Sequence, residues 1–283
     1  MKEERHLKIF DAVNFGTKYL KGSIAEPRIE SEALLSFTLG ASKEYLLINR
    51  DKELTDDSFN KYMEVLDLRK SGMPYQYIVG EKHFMGLIFN VSPSVLIPRN
   101  DTEILVEEVL KRLKSGDTVL DIGTGSGAIA VSIAKYKDVK VYAVDISDGA
   151  LKVAKENADI NGVSDKVIFI KSDLFSSIPD GIRFDLIVSN PPYIRSNEIN
   201  ELQEEVKREP KIALDGGEDG LTFYRRIVKD SVNYIKFGGI IAFEVGFDQA
   251  WDVKDILVDG GYSDIEVVKD LQGIDRVVLG KRL

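Results

Sequence analysis

Across residues 1–71 the apolar positions recur every three or four residues, the spacing of amphipathic helices. Leu7, Phe10, Val13 and Phe15 begin one stripe that ends near Gly22; Ile29, Ala33, Leu34 and Phe37 mark a second, stopped by Gly40. Ser42 is placed to cap a short third helix with Tyr45, Leu46 and Ile48, and Thr55 a fourth with Phe59, Tyr62, Met63, Leu66 and Leu68. No strand-like alternation interrupts these segments, so residues 1–71 are expected to form a small helical bundle.

Residues 72–100 change character. Gly72, Pro74, Gly80, Gly86, Pro93 and Pro98 break helices there. Two short apolar strings, 83–85 and 87–91, suit a β-hairpin turning near Gly86. This stretch is expected to link the helical bundle to a second domain over 101–283, which opens with a helix starting at Asp101 or Thr102.

From residue 117 strands and helices alternate. Strands are expected at 118–121, 139–145, 167–170, 184–189, 239–245, 265–268 and 276–279, and helices at 128–135, 150–158, 221–235 and 249–258. The strand runs are rich in Val and Ile without clean alternation, as when both faces of a sheet are covered. The pattern predicts an α/β fold, a doubly wound Rossmann-like sheet.

Composition narrows the chemistry. The chain of 283 residues has no cysteine and two histidines, His6 and His83, so disulfides are excluded, and no metal site and no imidazole catalysis are expected. No apolar run is long enough to span a membrane, and residues 1–13 mix charged and apolar positions unlike a signal peptide, so a cytoplasmic protein is expected. The net charge of −9 and a near-neutral first 80 residues argue against direct nucleic-acid binding.

The first strand runs into Asp121, Ile122, Gly123, Thr124, Gly125, Ser126 and Gly127, and then a helix. Glycines let such a turn bend sharply and approach a ligand at the carboxyl end of the sheet. Gly123, Gly125 and Ala128 also fit a dinucleotide pattern, so the turn alone does not choose between cofactors. Asp145, ending the next strand, can accept hydrogen bonds from both ribose hydroxyls of either NAD or S-adenosylmethionine. Asp173 ends the strand after that; its carboxylate can accept from an adenine amino group while Leu174 or Phe175 covers the ring.

The fourth strand ends in Ser189, Asn190, Pro191, Pro192 and Tyr193. Two prolines stiffen the turn and remove two backbone donors, leaving the Asn190 side-chain oxygen and the Pro191 carbonyl as fixed acceptors. A planar NH2 has two hydrogens to offer them, and Tyr193 can wall its flat face. A delocalised nitrogen attacks poorly; two acceptors would aim it at an activated methyl, where orientation does most of the work.

These motifs, residues 123–127, Asp145 and residues 190–193, resemble the class I S-adenosylmethionine-dependent methyltransferases that modify amino nitrogens. Within them the chain resembles the release-factor glutamine methyltransferases, on residues 74–80, 96–103, Glu209, Pro210, 213–214, 216–217, 219–221 and 270–276. The family usually has proline at Asn100 and a small residue at Gln272; the first should loosen a loop. The resemblance implies a seven-stranded methyltransferase sheet with its last strand antiparallel. It implies S-adenosylmethionine as cofactor (S-adenosylhomocysteine as product), bound by Asp121, Gly123, Thr124, Gly125, Ser126, Gly127, Asp145, Asp173, Leu174 and Asn190, with Arg99 closing over it. It implies peptide chain release factors as substrate, with N(5)-methylation of the glutamine in their Gly-Gly-Gln motif. Asn190 and Pro191 would hold that amide, Pro192 and Tyr193 would pack beside it, and the helical domain would recognise the protein. The runner-up is an amino-methyltransferase acting on a nucleobase stacked on Tyr193; a nucleotide-binding interaction module and a dehydrogenase are weaker alternatives.

Overall fold

The computed structural model describes residues 7–283, so His6 lies outside the described residues. The chain forms two compact units, one holding residues up to Gly80 together with Gln203–Arg208, the other Glu81–Leu202 and Glu209–Leu283.

The first unit is built on helices α1 (Ile9–Leu20), α2 (Pro27–Leu39), α3 (Lys43–Ile48), α4 (Asp56–Lys70) and α5 (Tyr75–Val79). The anticipated caps are in place. Ser42 Oγ accepts from Tyr45 N and Thr55 Oγ1 from Ser58 N, each at 3.2 Å, satisfying backbone donors that a helix start leaves free. Gly40 ends α2 in the left-handed region at φ 58°. The buried stripe of α1 is Ile9, Ala12, Val13, Gly16 and Leu20, whereas Phe10 and Phe15, read as stripe members, stand partly exposed. The register differs because small Ala12 and Gly16 face the core, where they admit close packing in place of the larger Phe10 and Phe15. The turn α5, which lies in the stretch expected to be a linker, fits between its two breakers, with Pro74 at the N-cap and Gly80 at the left-handed end.

Gly16 is where the buried Tyr62 arrives. The Tyr62 hydroxyl lies 2.7 Å from Ser31 Oγ, which donates to Val13 O at 2.8 Å. A Cβ on Gly16 would stand 2.0 Å from the Tyr62 oxygen and 2.6 Å from Ser31 Oγ. Gly16→Ala is therefore expected to destabilise this unit by about 1–3 kcal/mol or more through overpacking, read as a lower urea midpoint by far-UV circular dichroism. An unchanged midpoint would show that the Tyr62–Ser31 contact yields without cost. Arg69, 2% exposed, donates from Nε to Glu30 at 2.9 Å, from NH2 to Glu205 at 2.6 Å and from NH1 to Met73 O. It thereby fastens the 203–208 segment within this unit.

The second unit opens with the hairpin β1 (Glu81–Phe84) and β2 (Leu87–Asn90), antiparallel about Met85 and Gly86, both at positive φ, as a two-residue hairpin turn requires. Helix α6 (Thr102–Arg112) leads into a seven-stranded sheet of β3 (Thr118–Ile122), β4 (Lys140–Asp145), β5 (Val167–Lys171), β6 (Phe184–Ser189), β7 (Ile235–Glu244), β8 (Tyr262–Lys269) and β9 (Asp275–Arg282). Their spatial order is β5-β4-β3-β6-β7-β9-β8, with β9 antiparallel to both neighbours and the rest parallel. The intervening helices are α7 (Ala128–Tyr136), α8 (Asp148–Ile160), α9 (Thr222–Ser231) and α10 (Ala250–Asp259). One face of the sheet is covered by α6, α7, α8 and the hairpin phenylalanines Phe84 and Phe89; the other by α9 and α10. Burial on both faces explains the unalternating strands. The helix expected over 221–235 stops at Ser231, and Ile235 instead begins β7, because it pairs with Phe184 across a register shift.

The units divide at Gly80, inside the 72–100 stretch. The α5 turn packs Tyr75 and Ile78 on the helical core, whereas the hairpin buries Phe84 and Phe89 in the sheet core. No helix among the described residues is long and apolar enough to cross a membrane.

Candidate functional site

The strand order reverses at β3, which pairs with both β4 and β6, so a crevice opens at the carboxyl ends of β3 and β6. A cavity of about 230 Å³ lies there, entirely within the second unit.

Its floor is the glycine-rich turn. Gly123 and Thr124 donate their N–H groups to Val144 O, both at 2.9 Å, and Gly125 donates to Asp145 Oδ2 at 2.9 Å. The turn is thereby pinned to the end of β4. Gly123 and Gly125 have φ of 71° and 54°, and a Cβ on Gly123 would meet nothing within 4 Å. The turn is a cradle with room for a ligand backed by main chain. Gly127 serves packing: a Cβ there would approach Ala154 on α8 at 3.1 Å. Buried Asn157 holds the same corner, donating to Ser126 O and Asn90 O while accepting from Asn90 N.

Asp145 lines the cavity and also accepts from Ser147 N at 2.9 Å, so its two oxygens are oriented while retaining lone pairs for hydroxyl donors. Asp173 and Leu174 form a further wall; Leu174 adopts φ 50°, an unusual conformation for leucine, held by Ser172 Oγ donating to Leu174 O at 2.7 Å. Asp173 does not cap a helix. Arg226 of α9 donates to both of its oxygens, at 3.0 and 2.9 Å. Ile122, Ile146, Phe223 and Ile227 make the lining largely apolar.

Across from the glycine turn, Ser189 Oγ donates to Ile122 O at 2.7 Å and ties the ends of β6 and β3 together. Asn190, Pro191 and Pro192 then face the cavity. The turn is backed by residues 215–220, which sit so close that a Cβ on Gly216 would be 2.8 Å from Pro192 O, and one on Gly220 2.4 Å from Tyr193 O. Buried Gln249 donates to Tyr193 O at 2.9 Å and accepts from Gly246 N at 3.1 Å.

The structure gathers Gly123, Gly125, Asp145, Asp173, Leu174, Asn190, Pro191 and Pro192 around one cavity, and it places the other sequence candidates elsewhere. Asp121 is fully buried beneath the turn, where it accepts from Thr124 Oγ1 at 2.6 Å; burial pushes its pKa up to about 7, against the Thr124 hydrogen bond. Thr124, Ser126 and Gly127 brace the turn and do not line the cavity. The Tyr193 ring packs on the core behind the turn, and burial raises its pKa. Arg99 turns to Glu209, which also accepts from Ile97 N at 2.9 Å. This pair fixes the segment whose Pro210, Ile212 and Ala213 form part of the wall. Asn100 accepts from Lys82 Nζ at 2.8 Å, so its loop is tied and not loosened. Sequence reasoning missed Ser94, Val95, Phe223 and Arg226, which carry no motif, and did not assign Leu96 of the 96–103 segment to the site; Ile146, an apolar residue directly after Asp145, also went unread.

A glycine cradle, a strand-end carboxylate and a proline-stiffened turn of acceptors, converging at the switch point of this sheet, define a methyltransferase. In agreement, the family described as Methyltransferase small domain matches residues 99–218, and PrmC N-terminal domain matches residues 11–80. A release factor glutamine methyltransferase of Clostridium acetobutylicum is 46% identical over 98% of this chain and 99% of its own length, and one of Clostridium botulinum is 42% identical over 93% of this chain and 94% of its own. A solved methyltransferase from Pyrococcus furiosus shares the fold with a TM-score of 0.54 at 20% identity, covering 70% of this chain and 90% of that one. The chain belongs to the release factor glutamine methyltransferase family.

Proposed function

We propose that this chain transfers the methyl group of S-adenosylmethionine to the side-chain amide nitrogen of a glutamine in peptide chain release factors, the glutamine of their Gly-Gly-Gln motif, in the cytoplasm. The carrying observation is that Asn190 and Pro191 line the same cavity as Gly123, Gly125 and Asp145, in a chain 46% identical to a release factor glutamine methyltransferase along its whole length.

The residues present fit the cofactor. The Gly123 and Gly125 backbone leaves the space a nucleoside-bearing ligand needs, the Asp145 carboxylate is aimed at hydroxyl donors, and Leu174 and Ile146 offer apolar cover for a base. When bound, the cofactor supplies a methyl already activated on a sulfonium. The protein's task is then orientation. Asn190 Oδ1 and the Pro191 carbonyl accept the two amide hydrogens and hold the nitrogen in line, worth up to several kcal/mol when the geometry is near attack. As the new C–N bond forms, the bond between the methyl and the sulfonium sulfur breaks, and the nitrogen releases a proton to water.

Labelled methyl transfer to purified release factor, beside a Gln→Ala change in its Gly-Gly-Gln motif and beside DNA and RNA, tests this. Label confined to the unaltered factor is expected. Label on nucleic acid would transfer the reading to a nucleobase.

A further inference from the structure

We infer that Glu244 and Thr102 are positioning residues that fix which end of the Asn190 amide faces the cavity, an inference that rests on the transfer reading above. Glu244 ends β7 and Asn190 follows β6, and these strands run side by side with Ser189 opposite Phe243. Thr102, the first residue of α6, reaches both. Its Oγ1 lies 2.5 Å from Glu244 Oε2, and Asn190 Nδ2 donates to it at 3.2 Å. Thr102 is 4% exposed and Glu244 2%, so water does not substitute for either of them.

The polarity of this chain follows from proton count. An ionised carboxylate only accepts, so the single Thr102 proton is committed to Glu244. The hydroxyl can then only accept from Asn190, which turns Nδ2 inward and Oδ1 toward the cavity. A substrate NH2 needs that oxygen. A proton on Glu244 Oε2, the oxygen facing Thr102, reverses the chain: Glu244 donates to Thr102, Thr102 donates to Asn190, and the amide presents its own NH2 to the incoming NH2. Two donors then face each other and the amide is not held.

The groups facing Glu244 are few. Asp101 heads α6 and pairs with Arg276 of β9 at 3.0 Å; the Tyr193 ring lies on the acceptor turn; Tyr224 of α9 donates to the Glu244 main-chain carbonyl at 2.9 Å. Burial pushes the Glu244 pKa up to about 7, with the hydrogen bond from Thr102, the Arg276 charge and a direct hydrogen bond from the Asn190 side chain pulling it down and Asp101 adding to the rise. Reversal therefore falls within the range of neutral buffers.

The test uses the full chain with its asparagine side chains labelled with nitrogen-15, the Asn190 NH2 signal being identified by its loss in Asn190→Ala. That signal is expected to move between pH 6 and 8 in the wild type and to stay still in Glu244→Gln. Alongside, Thr102→Val is expected to lower kcat about 10- to 100-fold, with the dissociation constant for S-adenosylmethionine within about threefold of wild type, and Thr102→Ser to restore kcat to within about threefold. An Asn190 signal that ignores pH in the wild type, one that still moves in Glu244→Gln, or a Thr102→Val enzyme with normal kcat would overturn the inference. A wild-type chain that methylates no release factor would sink the proposed substrate alone, since the Asn190 signal still decides the relay.

Discussion

Replacing Asn190 by alanine lowers methyl transfer about 10²- to 10³-fold while S-adenosylmethionine binds within about threefold of wild type. The effect is large because the substituted oxygen is one of two acceptors proposed to hold a nitrogen that has little nucleophilicity of its own. The cradle is spared because Gly123 and Gly125 are pinned to Val144 and Asp145 independently of Asn190. Single-turnover transfer to release factor, with cofactor affinity measured by calorimetry, separates the two quantities. Normal turnover by Asn190→Ala would remove this residue from the reaction, and loss of cofactor binding would make it part of the cradle.

The Asp121→Asn variant gains stability on the wild type as pH rises from 4 to 8, by on the order of 4 kcal/mol. Desolvation raises Asp121 to about 7, the nearby Asp145 charge adds to the rise, and the Thr124 hydroxyl and Ala130 N–H oppose it. An unfolded aspartate titrates near pH 3.9 (roughly, as in model peptides). The native state therefore holds a proton that the unfolded chain has released. The stability this contributes is fully present below about pH 4 and is lost as pH climbs to about 7. Asparagine cannot titrate, so its constant offset cancels and only the pH-dependent part remains. Glu244, shifted in the same direction, is common to both proteins and drops out of the comparison. Urea unfolding at a series of pH values without cofactor measures the difference; a gap that stays flat from pH 4 to 8 would place Asp121 near the ordinary carboxylate range.

Asp121 also illustrates how motif reading and burial part company. It stands in the glycine-rich motif and was read with it as a cofactor ligand. As the fourth residue of β3 its side chain enters the interior, where it braces Thr124. Arg99 was read as closing over the pocket, and instead holds Glu209, a residue 110 positions away. That Asp145 and Asn190 line one cavity follows from local pattern, because Asp145 ends a strand and Asn190 follows one beside the switch point. That Phe223 and Arg226 line it too does not, because an ordinary amphipathic helix gives no sign of which strand end it will pass.

The sequence by itself determined the order of helices and strands apart from α5, the glycine turn, the capping of α3 and α4 and the stiff acceptor turn, since each depends on backbone preferences and spacings within a few residues. Only the tertiary structure decided what those pieces meet. Thr102 reaches Glu244 across 142 positions and Asn190 across 88, Gly16 admits Tyr62, and α5 and the hairpin go to different cores. Such contacts are set by where the sheet brings distant segments together, and no local periodicity carries that information.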